Sequence, residues 1–216
     1  MSALVTMANS LQDILDRFRA IDFLGPLALR LYLAPVFIAV GLHKFMHLED
    51  IASWFGNPDW GLGLPAPMLM AILAASAELF GGLALLFGVA VRWFTIPLMI
   101  TMLVAIFAVH WDKGWFAIAP GDPATSTAKP LASIGIPAAQ RSLENSEEVG
   151  RRLQAAKSLL KKHGNYKWLT EKGSFVVLNN GIEFGVTYFV MLLALFFTGA
   201  GKYLSVDYWI ARQFRE

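Results

Sequence analysis

One long apolar stretch with a single carboxylate inside it constrains the fold more than any other part of this sequence. From Met68 to Val91 the only charged residue is Glu78. These roughly 24 residues make about 36 Å of helix, enough to cross a hydrocarbon core of roughly 30 Å. The stretch therefore predicts a membrane-spanning helix. A carboxylate inside a spanning helix is costly unless a partner faces it, so Glu78 is a candidate functional residue.

The overall composition agrees with a membrane protein. Of the 216 residues, 56% are hydrophobic, whereas soluble domains contain about 45–50% apolar residues. The chain has no cysteine, which excludes disulfides, thiolate metal sites and thiol redox chemistry. Its basic residues do not alternate with aromatic residues on one face, so we expect no nucleic-acid partner.

We predict an all-α integral membrane protein that forms a single domain. Its core is a four-helix transmembrane bundle with spans at about 24–45, 67–91, 94–111 and 181–199. An N-terminal amphipathic helix over residues 9–20 is expected to lie on the membrane surface.

The connections between the predicted spans differ in character. The aromatic, turn-rich segment 54–63 is expected to be a loop at the membrane interface. Residues 112–180 are expected to form a long extramembrane insert between the third and fourth spans. Within the insert we predict one helix over about 145–163, capped by Asn145 and followed by Gly164.

The distribution of basic residues predicts the orientation in the membrane. Four spans place both termini on one face, and that face carries most of the basic residues outside the insert. By the positive-inside rule, we expect the termini to be cytoplasmic. The residues concerned are Arg17, Arg19, Arg92, Lys202, Arg212 and Arg215.

Two charged residues of the first span lie on one helical stripe. Arg30 and Lys44 are linked by steps of three and four residues through Ala34, Phe37 and Gly41. If the first span ends near residue 45 and the second begins near residue 67, Arg30 lies level with Glu78. We therefore predict an Arg30–Glu78 ion pair, which would either lock two helices together or form part of a site.

Two further ionisable residues are expected near the outer end of the bundle. His110 ends the third span and Glu183 begins the fourth, at the level that Lys44 reaches from the first. A cavity lined by two carboxylates, a histidine and two cations could hold a quinone head group, pass protons or chelate a metal. The candidate catalytic residues are His110, Glu183 and Glu78, and the candidate ligand-binding residues are Arg30, Lys44, Glu78, His110 and Glu183.

A metal site is the weaker alternative. His43 and His47 stand four residues apart with Met46 beside them, which would suit copper. Two ligands do not make a site, however, and we weigh copper well below a quinone as the cofactor and assign no metal ligand.

Four stretches of the sequence carry a resemblance to a known family. The stretches are RLYLAPVFIAVGLHKF (30–45), GLGLPAPMLMAILAASAELFGGLALLFGVAVR (61–92), TMLVAIFAVHW (101–111) and NNGIEFGVTYFVMLLALFFTGAGKYLSVD (179–207). They resemble the DoxX family of small four-helix bacterial membrane proteins, whose polar positions match Arg30, Lys44, Glu78, His110 and Glu183. The resemblance implies a bacterial inner-membrane protein tied to redox metabolism, since similar proteins include the membrane subunit of a thiosulfate:quinone oxidoreductase and components of oxidative-stress complexes.

Three functional hypotheses follow. The first is a redox membrane subunit, and so a component of a membrane oxidoreductase, whose polar cavity binds a quinone-like small molecule. The second is a non-catalytic membrane partner or assembly factor of a stress-response or peptide-modification system. The third is a metal-handling membrane protein. The expected partners are the lipid bilayer, a small ligand in the bundle, and either another protein or further copies of the chain.

Overall fold

A computed structural model describes residues 3–214, and all regular structure within that range is helical. Three of its helices are long and apolar enough to cross a membrane: Leu24–Met46, Pro67–Phe87 and Val91–Lys113. The protein is therefore a multi-pass membrane protein. The α-helices are α1 Ala3–Arg17, α2 Leu24–Met46, α3 Leu48–Gly56, α4 Pro67–Phe87, α5 Val91–Val104, α6 Ala128–Ser133, α7 Pro137–His163, α8 Tyr166–Leu169, α9 Glu183–Thr198 and α10 Val206–Phe214.

The fourth predicted span corresponds to a shorter helix. Helix α9 is apolar but has 16 residues, which is about 24 Å of helix against a hydrocarbon core of roughly 30 Å. The four-helix transmembrane bundle therefore remains a prediction, whereas the all-helical character and three candidate spans are observed.

The chain divides into two compact units. The first unit comprises residues 1–104 and 187–216, and the second comprises residues 105–186. The first unit holds α1–α5, the greater part of α9, and α10. The second unit holds α6–α8 and the helical turns that follow α5.

Close contact between α2 and α4 is the main packing feature of the first unit. A Cβ atom added at Gly41 would lie 2.4 Å from the Leu79 nitrogen, and one added at Gly82 would lie 2.8 Å from the Ile38 nitrogen. Only glycine at both positions allows the two backbones to approach so closely. Because residue 41 faces 79 and residue 38 faces 82, the two helices run antiparallel.

A buried apolar cluster lies beside this helix pair. Side chains from α2, α4, α5 and α9 contribute to it, so the cluster connects all four of the most apolar helices of the first unit. Its fully buried large members are Leu33, Phe37, Leu85, Val91, Leu98, Leu192 and Leu195.

Helix α3 replaces part of the predicted interfacial loop. It ends at Gly56 and packs on the beginning of α4 through Ala52, Phe55 and Ala71. A Cβ atom at Gly56 would lie 2.8 Å from a side-chain carbon of Pro67. Because α3 packs on the first turns of α4, helix α2 contacts a part of α4 that lies farther from its N-terminus.

The second unit begins with a widened helical turn. Residues Ala105–His110 form a π-helical segment, followed by a short 3₁₀ turn, Trp111–Lys113. The backbone of residues 117–119 then pairs with that of residues 177–180, with an Ala119 N–H to Val177 carbonyl bond of 2.9 Å.

Helix α7 of the second unit is longer than predicted. It starts at Pro137 instead of Asn145, and Asn145 lies inside the helix, so the predicted cap at Asn145 is wrong. Proline suits the first helical turn because the missing N–H has no helical acceptor there. Its end at His163 is as predicted.

Helix α1 confirms the N-terminal helix, although it starts before the predicted residue 9. It is followed by a 3₁₀ turn, Phe18–Ile21. The apolar residues Leu11, Ile14, Leu15 and Phe18 are all exposed, as expected of a helix that rests on a membrane surface. Arg215 lies outside the described residues.

Candidate functional site

A buried ion pair between Lys44 and Glu78 is the central feature of the candidate site. The Lys44 Nζ atom lies 2.5 Å from Glu78 Oε1. The side chain of Glu78 is 3% exposed and that of Lys44 is 20% exposed. The carboxylate therefore lies inside the unit, and the lysine lies at the edge of the buried region.

Small residues explain how the two helices bring this pair together. Gly41 precedes Lys44 by one helical turn and touches the backbone at Glu78 and Leu79. The flexible side chain of Lys44 then reaches the carboxylate of the facing helix. The close approach of α2 to α4 thus determines that Lys44 is the basic residue that pairs with Glu78.

The second oxygen of Glu78 has no such partner. The buried Oε2 atom makes no hydrogen bond to any described residue. A buried polar atom without a hydrogen bond is rare in folded proteins and is destabilising. An ionised carboxylate only accepts hydrogen bonds, so Oε2 could accept one from a ligand or carry a proton.

Arg30 does not pair with Glu78, so the predicted ion pair is wrong. The guanidinium, in a residue 1% exposed, donates to four backbone carbonyls. Its Nε bonds to Leu85 O at 2.7 Å and its Nη2 to Leu86 O at 3.1 Å. Its Nη1 bonds to Ala200 O at 2.7 Å and to Leu204 O at 3.1 Å.

The position of α3 explains this error. The prediction aligned the end of the first span with the start of the second, whereas α3 packs on the first turns of α4. Residue 41 of α2 therefore faces residue 79 of α4, and Arg30 reaches the carbonyls that end α4. Carbonyls at a helix C-terminus carry partial negative charge and lack helical donors, so a guanidinium satisfies them well.

Asp207 belongs to the same end of the first unit and was missed in the sequence. Its Oδ1 accepts a 2.6 Å bond from the Ala90 N–H, and its Oδ2 accepts a 3.0 Å bond from the Val91 N–H. The carboxylate thereby caps the start of α5 from a segment 116 residues away in the chain. No local pattern could have indicated so distant a cap.

His110 occupies a defined position in the second unit. Its Nδ1 atom lies 2.7 Å from the Asn180 carbonyl oxygen. A carbonyl can only accept, so Nδ1 carries the proton and the neutral ring leaves Nε2 as the basic nitrogen. The histidine ends the π-helical segment, a helix type that is frequent at functional sites.

Glu183 lies on the segment that also provides the His110 contact. Its Oε2 accepts a 2.9 Å bond from the Ala117 N–H. Nearby, Asn179 Nδ2 donates to the Lys113 carbonyl at 2.5 Å and to the Phe116 carbonyl at 2.9 Å. These bonds fasten residues 113–117 to residues 179–183 within the second unit.

The structure thus joins one pair of the predicted site residues directly. Lys44 and Glu78 meet in the first unit, and Arg30 lies in that unit with other partners. His110 and Glu183 lie in the second unit. The convergence of all five residues in one cavity stays a prediction.

The histidines proposed for copper lie next to each other. The ring centroids of His43 and His47 are 4.6 Å apart. Within residues 3–214, however, no group of three or more histidine or acidic side chains is placed to hold a metal ion. The described residues therefore offer two neighbouring ligands and no complete metal site.

Comparison with known proteins supports the resemblance for part of the chain. Residues 25–111 match the family model DoxX. The chain is also 35% identical over 86 residues to the Bacillus subtilis (strain 168) protein named "Putative oxidoreductase CatD". This alignment covers 40% of the chain and 60% of that relative. No solved structure matches the chain.

These matches confirm the DoxX resemblance over residues 25–111. The matched segment includes Arg30, Lys44, Glu78 and His110. Glu183 lies beyond it, as does the resembling stretch at residues 179–207. The family match therefore covers both residues of the Lys44–Glu78 pair, and it covers His110 but not Glu183.

Proposed function

We propose that this chain, with its DoxX segment, is a redox-associated membrane protein that binds a quinone-type head group at Lys44 and Glu78. The observation that carries the proposal is the buried Glu78 carboxylate, whose Oε1 holds Lys44 while Oε2 makes no hydrogen bond to a described residue. Ionisable groups inside membrane helices mark ligand or proton pathways by default.

The chemistry of a quinone fits the two side chains. A quinone has two carbonyl oxygens that accept hydrogen bonds, and its reduction to a quinol takes up two electrons and two protons. Lys44 would donate to one carbonyl oxygen. Glu78 would first take up a proton from water on Oε2 and would then pass it to the quinone as the oxygen gains charge, and the second proton would also come from water. The proposal assigns no redox centre to this chain. The two electrons would therefore come from an associated protein that oxidises a substrate.

His110 is the second proton-handling residue in this proposal. Its Nδ1 lies 2.7 Å from the Asn180 carbonyl oxygen, and Nε2 is the nitrogen to which the proposal assigns proton transfer. Glu183 is assigned the neighbouring acceptor role.

The similarity to a relative named as an oxidoreductase supports the redox assignment. The chain spans about 60% of that relative's length, so its activity is transferred only as a proposal. Lys44 and Glu78 lie inside the segment matched by the DoxX model, which connects the ion pair with the family rather than with the remainder of the chain.

The proposal is tested by quinone binding in lipid nanodiscs. A short-chain ubiquinone analogue is titrated into the wild-type protein and into the Lys44→Met and Glu78→Gln variants, and binding is followed by calorimetry. The wild type should bind saturably, and each substitution should weaken binding by about tenfold or more because a charge-assisted hydrogen bond contributes about 1.5–3 kcal/mol.

Gly25→Ala is the matched control, because a Cβ atom at Gly25 meets no atom within 4 Å. This variant should bind the quinone analogue as the wild type does. Equal binding by the wild type, Lys44→Met and Glu78→Gln, or no saturable binding by the wild type, would reject the proposal.

A second candidate function is that of a membrane partner or assembly factor without its own ligand. Helix α7 favours it, because only four of its 27 residues are buried and Leu159 is exposed. Such a helix offers a charged surface with apolar positions for another protein. This function predicts that Arg151→Glu with Leu159→Ser abolishes function in cells, while Lys44→Met and Glu78→Gln do not.

We also propose that the termini are cytoplasmic and that the membrane is the bacterial inner membrane. The basic residues near the termini support this orientation through the positive-inside rule. Reporter fusions at each terminus test it: alkaline phosphatase should be inactive and a fluorescent protein active at both ends. Active alkaline phosphatase at either terminus would contradict the orientation.

A further inference from the structure

A large groove lies at the end of the first unit opposite to Lys44. Its volume is about 1030 Å³, and its lining comes from the start of α2, the start of α5, the end of α9 and α10. Residue 26, which lines it, and Lys44 are 18 positions apart on α2, which is about 27 Å of helix. The groove is therefore distinct from the proposed quinone site.

The walls of the groove are apolar on one side and charged on the other. Trp93, Ile96 and Phe196 provide apolar surface, and Trp93 is 76% exposed. Arg92 and Lys202 provide the cations of the lining. An exposed tryptophan beside basic residues at the start of a candidate span is typical of the membrane–water interface.

Each lining carboxylate already has partners. Asp22 pairs with Lys202 at 3.2 Å. Asp207 uses both oxygens on the N–H groups of Ala90 and Val91. Neither carboxylate is therefore left over to neutralise Arg92.

Arg92 is the lining cation without an anion. Its Nε donates to the Phe196 carbonyl at 2.8 Å, and its guanidinium lies 5.6 Å from the centre of the Phe196 ring. No ion pair joins it to any residue in the described range 3–214. The side chain is thus held in place by a neutral acceptor and an aromatic ring, with its positive charge uncompensated.

We propose that the groove binds an anionic phospholipid of the phosphatidylglycerol class. The phosphodiester meets Arg92, and an acyl chain lies along Trp93, Ile96 and Phe196. One net negative charge complements the one uncompensated cation of the lining. A zwitterionic lipid carries an additional ammonium group, for which the groove has no carboxylate that is not already engaged.

A lipid fits the groove better than a free phosphate does. The volume of about 1030 Å³ greatly exceeds that of an inorganic anion, and the apolar walls would gain nothing from it. Each CH₂ group of an acyl chain buried against these walls contributes about 0.8 kcal/mol. The apolar walls and the positive charge of Arg92 therefore both favour an anionic phospholipid.

The test is competitive lipid binding followed by native mass spectrometry. The delipidated protein in detergent is mixed with equal amounts of phosphatidylglycerol and phosphatidylcholine with identical acyl chains. The wild type should retain phosphatidylglycerol preferentially, and Arg92→Gln should reduce that preference by about tenfold, the loss of one charge-assisted contact. Arg212→Gln is the matched control, because Arg212 stacks on Trp209 and does not line the groove.

The test also includes one further variant, Asp22→Asn, and one soluble competitor, glycerol 3-phosphate. Asp22→Asn releases Lys202 from its ion pair and should strengthen the preference for phosphatidylglycerol. Soluble glycerol 3-phosphate should not displace the lipid, and displacement would show that the groove recognises phosphate alone. No preference in the wild type, an equal loss in Arg212→Gln, or no gain in the Asp22→Asn variant would overturn the proposal.

Discussion

Lys44 and Glu78 form a buried ion pair in which the Lys44 Nζ and Glu78 Oε1 atoms are 2.5 Å apart. The pair is asymmetric, because the carboxylate is almost fully buried while the lysine is 20% exposed along its side chain. Lysine can thus reach water when its partner is lost, whereas glutamate cannot. This difference leads to the first prediction.

Lys44→Met should destabilise the protein more than Glu78→Gln does. The first substitution leaves a buried carboxylate without a cation and should cost about 3 kcal/mol. The second leaves a lysine that can extend towards the interface and should cost about 1 kcal/mol. Thermal unfolding in detergent measures both variants. Equal losses would contradict the predicted difference between the two variants.

The double variant Lys44→Met with Glu78→Gln provides the control for that comparison. Replacing both charges with neutral groups removes the pair without leaving an isolated charge. The double variant should therefore lose less stability than the sum of the single losses. A strictly additive loss would indicate that the two residues do not interact.

Gly41→Ala should separate α2 from α4 and weaken the ion pair. The added Cβ atom would lie 2.4 Å from the Leu79 nitrogen, and such overpacking costs about 1–3 kcal/mol. Gly25→Ala lies on the same helix with no atom within 4 Å of the new Cβ and should be neutral or slightly stabilising. The unfolding temperatures of the two variants measure the difference, and equal effects would contradict the close helix approach.

Arg30→Lys should destabilise the first unit although it keeps the charge. Arg30 donates from three nitrogens to four carbonyls on two segments, and lysine offers one nitrogen. At least one buried carbonyl would lose its donor, which costs about 1–3 kcal/mol. Arg92→Lys is the comparison, since Arg92 is exposed and donates from its Nε to a single carbonyl. A larger loss from Arg92→Lys would contradict the assigned role of Arg30.

His110 should be protonated on Nδ1 when its ring is neutral. The Asn180 carbonyl lies 2.7 Å from that nitrogen and can only accept a hydrogen bond. Nitrogen NMR of the ¹⁵N-histidine-labelled protein, with His110→Gln used to assign the signal, distinguishes the two neutral forms. A proton on Nε2 at high pH would contradict the contact with Asn180.

Residue patterns predicted the helices of this protein better than their contacts. Apolar length identified α2 and α4 because a membrane span needs about 20 apolar residues whatever it packs against. The charged residues were identified as candidates because an ionisable side chain inside a membrane span is costly unless a partner faces it. Glu78 is nearly fully buried and has a cation, as expected of a carboxylate within an apolar helix.

The partners of those charged residues could not be predicted from depth alone. Helix α3 packs on the first turns of α4, so α2 meets α4 farther along and Lys44 replaces Arg30 at Glu78. Asp207 caps α5 across a long chain separation, and no local pattern indicates such a contact. Backbone carbonyls as partners of Arg30 were missed because the sequence does not show where helix ends meet.

Infrared difference spectroscopy of the quinone-loaded protein tests the central claim most directly. Electrochemical reduction of the bound quinone should change the protonation of Glu78, giving a carboxyl C=O band that shifts in D₂O and is missing in Glu78→Gln. The Gly25→Ala variant should retain that band. An identical difference spectrum from the wild type and Glu78→Gln would contradict the assignment of Glu78 as the proton carrier.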